Sequence, residues 1–277
     1  MNLVIQGRGI SPETLDHVST LAKPEGIERI SESALRLRGV SYDKKIYEYC
    51  ESASLDCAYV PEHARLSDFG LVVMDMDSTL ITIECIDEIA DMQGIKPMVS
   101  AITESAMRGE IDFSESLRRR VALLSGLDES ALSKVYEERL RLSPGAEIML
   151  HKLKSLGIRT LLVSGGFTFF TERLKSRLGL DFTASNTLEV VDGKLTGRVL
   201  GEIVDAGGKA YWLNRVREML YLPKDAVIAI GDGANDLKML AEAGTGIAYH
   251  AKPVVREKAT YALNHVGLDG LLNLFPD

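Results

Sequence analysis

Asp75 and Asp77 stand two residues apart at the end of an apolar run, Leu71-Val72-Val73-Met74, and are followed by Ser78 and Thr79. Two carboxylates so close to one strand end can both reach one cleft. One can attack phosphorus as a nucleophile; the other can give a proton to the leaving oxygen and later take one from water. The same pair also fits a plain turn whose acids cap the next helix. A second polar strand end is Val163-Ser164-Gly165-Gly166, where a hydroxyl and backbone N–H groups can receive a phosphate. On its own, a serine in that place reads first as a helix N-cap. The third is Gly231-Asp232-Gly233-Ala234-Asn235-Asp236, two acids and an amide in a tight turn. Such oxygen ligands suit a hard cation, and Mg2+ in particular, which takes few carboxylates and bridges to phosphate. Lys209, after Gly207-Gly208, can offset charge on phosphate oxygens. Gly-Gly-Lys does not meet the P-loop pattern, however, and a lone lysine is more often solvated.

These residues need a scaffold that brings strand ends together. Leu71 to Met74, Thr160 to Val163, Ala226 to Ile230 and Gly246 to Tyr249 are near-continuous apolar runs, as expected of strands buried on both faces. Helical patterns follow the first three, so the fold class expected is α/β with a doubly wound parallel sheet. Ligands bind at the carboxyl ends of the strands in such sheets. Between about 86 and 142 no strand signal occurs, and Leu117, Val121 and Leu124 recur at helical spacing. That stretch reads as an inserted helical cap. Leu188 to Val199, with Asp192-Gly193 at its centre, reads as a β-hairpin. Residues 1–69 run β-α-β-β-α-β on a smaller scale, an order like that of ferredoxin-like or ACT-type modules. Ser11-Pro12-Glu13 opens the first helix there with serine at N-cap and proline at N1. The division expected is therefore 1–69, a small α+β regulatory or structural domain, and 70–277, the domain that carries the chemistry.

The chain of 277 residues has a net charge of −8, which argues against a nucleic-acid partner, since that needs a basic face. Cys50, Cys57 and Cys85 are odd in number and lack metal spacing, so they read as free thiols in a reducing compartment. No apolar stretch is long enough to span a bilayer and Met1-Asn2-Leu3-Val4-Ile5 does not look like a signal peptide. A cytoplasmic protein with no membrane partner is expected. A homodimer through the N-terminal domain is the one macromolecular partnership considered.

Asp-x-Asp-Ser-Thr, then an apolar run with Ser-Gly, then Lys, then Gly-Asp-Gly-x-Asn-Asp resembles the haloacid-dehalogenase-like (HAD) hydrolase superfamily, over Gly70 to the C-terminus. Within it, Glu84-Cys85-Ile86-Asp87-Glu88-Ile89-Ala90, with Met107, Phe113 and Arg120 in the cap, resembles the phosphoserine phosphatase family. The resemblance implies hydrolysis of L-phosphoserine, the last step of serine biosynthesis, through an aspartyl phosphate. It makes Asp75 the nucleophile and Asp77 the general acid and base. It puts Mg2+ on Asp75, the Asp77 carbonyl and Asp232, with Asp236 in support. Ser164, Gly165, Lys209 and Asn235 would hold the phosphate. Glu84 would meet the substrate ammonium and Arg120 its carboxylate, between Met107 and Phe113. Read without the resemblance, Arg118-Arg119-Arg120 fits a solvated helix face, and Glu84 an acid at a helix start. A related phosphatase or phosphotransferase acting on phosphothreonine, phosphohomoserine or another small phosphomonoester remains the alternative, because one methylene discriminates by only about 1–3 kcal/mol.

Overall fold

Unbroken apolar runs become buried strands in this chain, and capped periodic stretches become helices. A computed structural model describes all 277 residues. In chain order the elements are β1 (Asn2–Gln6), α1 (Pro12–Ala22), β2 (Gly26–Ser31), β3 (Ala34–Arg38), α2 (Lys44–Ser52), β4 (Asp56–Val60) and β5 (Leu71–Met74). Then come α3 (Cys85–Met92), α4 (Lys96–Met107), α5 (Phe113–Ala122), α6 (Ser130–Lys134), α7 (Ala146–Ser155), β6 (Arg159–Phe167), α8 (Thr168–Leu178), β7 (Phe182–Val191) and β8 (Lys194–Leu200). The chain ends with α9 (Ala206–Met219), β9 (Val227–Gly231), α10 (Leu237–Glu242), β10 (Thr245–Tyr249), α11 (Pro253–Arg256), β11 (Tyr261–Leu263) and α12 (Gly270–Leu274). The fold is α/β with a helical insertion and a small antiparallel sheet at the N-terminus. The chain divides into two compact units, one made of Met1–Val72, Pro144–Arg159 and Leu222–Asp277, the other of Val73–Ser143 and Thr160–Tyr221.

The first unit contains the N-terminal module, whose strands lie antiparallel in the order β2-β3-β1-β4. Leu3 and Ile5 pack with Val18, Leu35, Leu37, Ile46 and Cys50, so both helices cover one face of the sheet. Helix α1 begins where expected: Ser11 Oγ accepts from Thr14 N and Pro12 takes the first turn, where its missing N–H is harmless. The same unit holds β9, β10 and β11 as parallel neighbours, with Ile247 opposite Ile230 and Ala248 opposite Ala262. Neither β11 nor α12 is foreshadowed by a sequence pattern, because each is short and buries few residues.

The module is tied to the end of the chain by polar groups out of water. The buried carboxylate of Asp56 accepts from Asn264 N at 2.7 Å and from His265 N at 2.9 Å. Burial pushes that carboxyl up, against the pull of the two N–H donors. Arg36, also buried, donates from Nη2 to Asn273 O at 2.9 Å, and Leu66 N donates to Pro276 O.

In the second unit β6 and β7 are parallel, and β7 turns back into antiparallel β8. Asp192 and Gly193, at φ 50° and 74°, make the hairpin turn that Asp-Gly announces. The stretch expected to be a helical cap is helical, carrying α3 to α6. One expectation is corrected. Ser164-Gly165-Gly166 is not a strand-to-helix turn: β6 continues through it to Phe167, and α8 starts at Thr168 without any side-chain cap.

The Asp56 tie yields a stability prediction. Asp56→Ala strips the acceptor from two backbone donors, each costing about 1–3 kcal/mol if left unsatisfied. Urea unfolding should show a lower midpoint with an unchanged slope; an unmoved midpoint would mean that water replaces the carboxylate without loss.

Candidate active site

The site grows from the end of β5. Leu71, Val72, Val73 and Met74 are wholly buried, so the residue after them is delivered into the interior rather than to solvent. That residue is Asp75, 5% exposed, whose Oδ1 accepts from Met76 N at 2.7 Å. Its Oδ2 lies 2.7 Å from Nζ of Lys209, itself 1% exposed. Lys209 comes from the first turn of α9, which Asp205 caps by accepting from Gly208 N at 2.8 Å. Moving two charges out of water is costly unless each finds its partner in good geometry, and here they do.

After Asp75 the chain makes a single wide turn over Met76–Leu80, closed by Leu80 N to Asp75 O and Ile81 N to Met76 O. Ser78 takes a left-handed conformation inside it, φ 55° and ψ 1°. The turn swings Asp77 back so that Oδ1 accepts from Cys85 N at 2.8 Å and Oδ2 from Ser164 Oγ at 3.3 Å. Withdrawal from water pushes the Asp77 carboxyl up, while Cys85, Lys209 and Ser164 pull it down. The balance is upward, so Asp77 holds a proton more readily than an ordinary aspartate.

Ser164 is therefore no helix cap. Its hydroxyl also accepts from Gly166 N at 2.8 Å, which fixes the backbone of the extended β6 end. Side chains are excluded from this segment by sterics. A Cβ on Gly166 would lie 2.8 Å from Asp77 Oδ2, and one on Gly165 would lie 2.7 Å from Cζ of Phe113. Phe113, the first residue of α5, thus covers the glycine where a phosphate-binding backbone is expected. The carbonyl of Gly165 accepts from Asn186 Nδ2 at 2.8 Å, and Asn186 Oδ1 accepts from Val204 N. Asn186 went unread in the sequence. Its one signal is an amide inside a strand-like run, where a buried amide must find partners.

Glu84, just before the insertion, and Arg120, within it, are held in different ways. Glu84 precedes α3 but makes no capping bond; its Oε1 instead accepts from Ser78 Oγ at 2.7 Å. Arg118 and Arg119 are exposed, and Arg119 pairs with Glu115, whereas Arg120 turns inward. Withdrawal from water pulls its guanidinium down, against the fields of Asp87, Glu84 and Asp77. Met107, at the end of α4, is 69% exposed.

The other candidate residues lie in the first unit, where β9 ends at Gly231. Asp236 is fully buried there, and its Oδ2 accepts from Asp232 N at 3.1 Å and Gly233 N at 3.0 Å. Gly231 is required by this turn, since a Cβ would fall 2.5 Å from the Asp236 carboxyl carbon. Asp232 and Asn235 sit partly exposed in the same loop. Every candidate ligand atom is oxygen, as a hard divalent cation requires.

Comparison with known proteins agrees with this chemistry. A family model described as haloacid dehalogenase-like hydrolase matches residues 72–241, and one described as a domain of unknown function matches residues 3–45. A phosphoserine phosphatase of Polaromonas sp. strain JS666 is 55% identical over 215 residues, 76% of this chain and 91% of the relative. The unliganded structure of a probable phosphoserine phosphatase from Vibrio cholerae superposes with a TM-score of 0.87 at 38% identity, covering 99% of this chain and 85% of that one. A structure described as a phospho-aspartyl intermediate analogue of phosphoserine phosphatase has a TM-score of 0.70 at 39% identity, covering 75% and 99%.

The buried ion pair can be tested without any assay of turnover. Lys209→Met leaves the Asp75 carboxylate enclosed without its lysine and should cost about 3–5 kcal/mol, read as a drop in thermal midpoint. Adding Asp75→Asn should recover most of that loss. Equal instability of the single and double variants would show that the lysine acts through packing instead.

Proposed function

The chain belongs to the haloacid dehalogenase-like hydrolases, and to the phosphoserine phosphatases among them; from this we propose that it hydrolyses L-phosphoserine through a phosphoryl group carried on Asp75. The observation that carries the reading is the enclosed Asp75–Lys209 pair, with a second carboxyl two residues away that burial makes readier to hold a proton. The Asp75 carboxylate attacks phosphorus in line, the bond from phosphorus to the serine oxygen breaks, and Asp77 gives its proton to that oxygen. Asp77, now a carboxylate, takes a proton from water, whose oxygen attacks the same phosphorus. The acyl phosphate bond then breaks, releasing phosphate and restoring Asp75. Phosphoryl transfer needs mostly positioning and charge compensation. Lys209 supplies the second, and Ser164, Gly165 and Asn235 share the first.

The residues we assign to Mg2+ are Asp75, Asp77 through its backbone carbonyl, Asp232 and Asp236. When bound, the ion neutralises charge on the transferred phosphoryl group. Glu84 and Arg120 are assigned to the ammonium and carboxylate of the substrate, with Phe113 and Met107 as the apolar walls. We further assign residues 1–69 to a separate module and 70–277 to the catalytic domain with its cap at 86–142. Homodimerisation, if it occurs, is assigned to the N-terminal module. No helix is long and apolar enough to cross a membrane. All three cysteines are free thiols, which supports a cytoplasmic setting.

Rapid quench with ³²P-labelled phosphoserine tests the covalent route. In Mg2+ the native chain should carry hydroxylamine-labile label on the peptide containing Asp75; Asp75→Asn or prior chelation should abolish it. Label on the Asp75→Asn chain would move the nucleophile elsewhere.

Arg120 makes a separate prediction. Arg120→Ala should lose about 2–5 kcal/mol in kcat/KM on phosphoserine, as for an unpaired ionic partner. It should lose much less on phosphoethanolamine, which lacks the carboxylate. Matching losses on both would assign Arg120 to the phosphate or the fold.

A further inference from the structure

Ser78 has no part in the chemistry above, yet it occupies the most demanding backbone position of the site. At φ 55° and ψ 1° it is left-handed, a region where residues other than glycine, asparagine and aspartate are uncommon and strained. A turn that needed only this backbone would be served better by glycine. What serine adds is a hydroxyl, and that hydroxyl donates to Glu84 Oε1 at 2.7 Å. The loop between them is drawn closed by Ser78 N donating to Ile83 O at 3.2 Å, so the two side chains meet over a short span.

Glu84 has two other places to go. It stands at the N-cap of α3, where a carboxylate is normally drawn to the exposed N–H groups of the first turn. It also lies in the field of the inward-turned Arg120, with Asp87 and Asp77 close enough to act on the same guanidinium. Collapse onto the helix end would commit the carboxylate to the backbone N–H groups there. Collapse onto Arg120 would neutralise both charges that a zwitterion needs to find apart.

We propose that Ser78 is a positioning residue for substrate selection. Its hydroxyl tethers Glu84 away from the α3 N-terminus and from Arg120, and so presents a carboxylate to the substrate ammonium. The strain at Ser78 is thereby offset by a bond that serves recognition rather than catalysis. The inference rests on the assignment of Glu84 to the ammonium, and its test separates the two.

The test compares kcat/KM on phosphoserine with that on 3-phosphooxypropionate, the same molecule without its ammonium. Ser78→Gly is the variant of choice, because glycine keeps the turn and removes only the hydroxyl. The phosphoserine to phosphooxypropionate ratio should fall about fivefold, roughly the net effect of one hydrogen bond. The change should lie mainly in KM. Glu84→Gln should lower the same ratio at least as far. Ser78→Ala should follow Ser78→Gly in this ratio while being less stable in urea, which separates the tether from the strain. If Glu84→Gln lowers the ratio and both Ser78 variants leave it unmoved, the tether is refuted while the ammonium assignment stands. If Glu84→Gln leaves the ratio unmoved, the ammonium assignment fails and the tether falls with it. Loss in kcat shared by both substrates in Ser78→Gly would make Ser78 a support of the nucleophile turn and overturn the proposal.

Discussion

An aspartate and a lysine almost wholly removed from water, 2.7 Å apart, are the constraint around which the catalytic region is built. Neither charge would persist there alone, because desolvation costs several kcal/mol per ion even after relaxation. Each therefore depends on an element that delivers it. Asp75 follows a strand that is buried on every residue, and Lys209 sits one turn into a helix whose start Asp205 fixes. The arrangement makes poor sense as a device for stability, since a well-packed apolar pair would serve as well or better. It suits the role we propose for Asp75, because the lysine would offset charge on both the attacking carboxylate and the anion.

The second carboxyl shows how close neighbours acquire different roles. Asp77 lies two positions after Asp75, inside the wide turn that follows β5. Both accept a backbone N–H, but Asp77 adds a hydroxyl where Asp75 adds an ammonium. Loss of water then raises the Asp77 carboxyl, so that it holds a proton more readily than an ordinary aspartate. The roles we propose for the two carboxyls follow from their environments, as in other sites that run two carboxyls at one pH. The glycines of the β6 end belong to the same design, since any side chain on Gly165 or Gly166 would strike Phe113 or Asp77.

Outside this centre the chain is held by fewer and weaker devices. The N-terminal sheet is bound to the chain's end through Asp56, Arg36 and the Leu66 N–H, all polar groups whose burial makes their partners obligatory. Contact groups that module with 144–159 and 222–277 rather than setting it apart. A reading of residue order cannot anticipate this, because the tie is made by backbone groups of Asn264, His265 and Asn273, which carry no composition signal.

The sequence by itself determined the α/β class, the helical insertion, the hairpin and the positions of Asp75, Asp77, Ser164, Lys209 and the Asp232–Asp236 turn. These are legible because hydrophobic periodicity is local, and because polar residues at the ends of buried strands have few reasons to be there. Only the tertiary structure decided that Arg120 alone of three successive arginines turns inward, since one turn of α5 separates its faces and neighbours fix which is covered. Only the structure released Ser164 from a helix cap, because β6 runs four residues beyond the apolar stretch that marks it. The role of Asn186, and the diversion of Glu84 from the helix end to Ser78, are likewise invisible along the chain. In each case the deciding partner is an oxygen or nitrogen supplied by another turn or strand, and hydrogen bonds choose partners in space, not by composition.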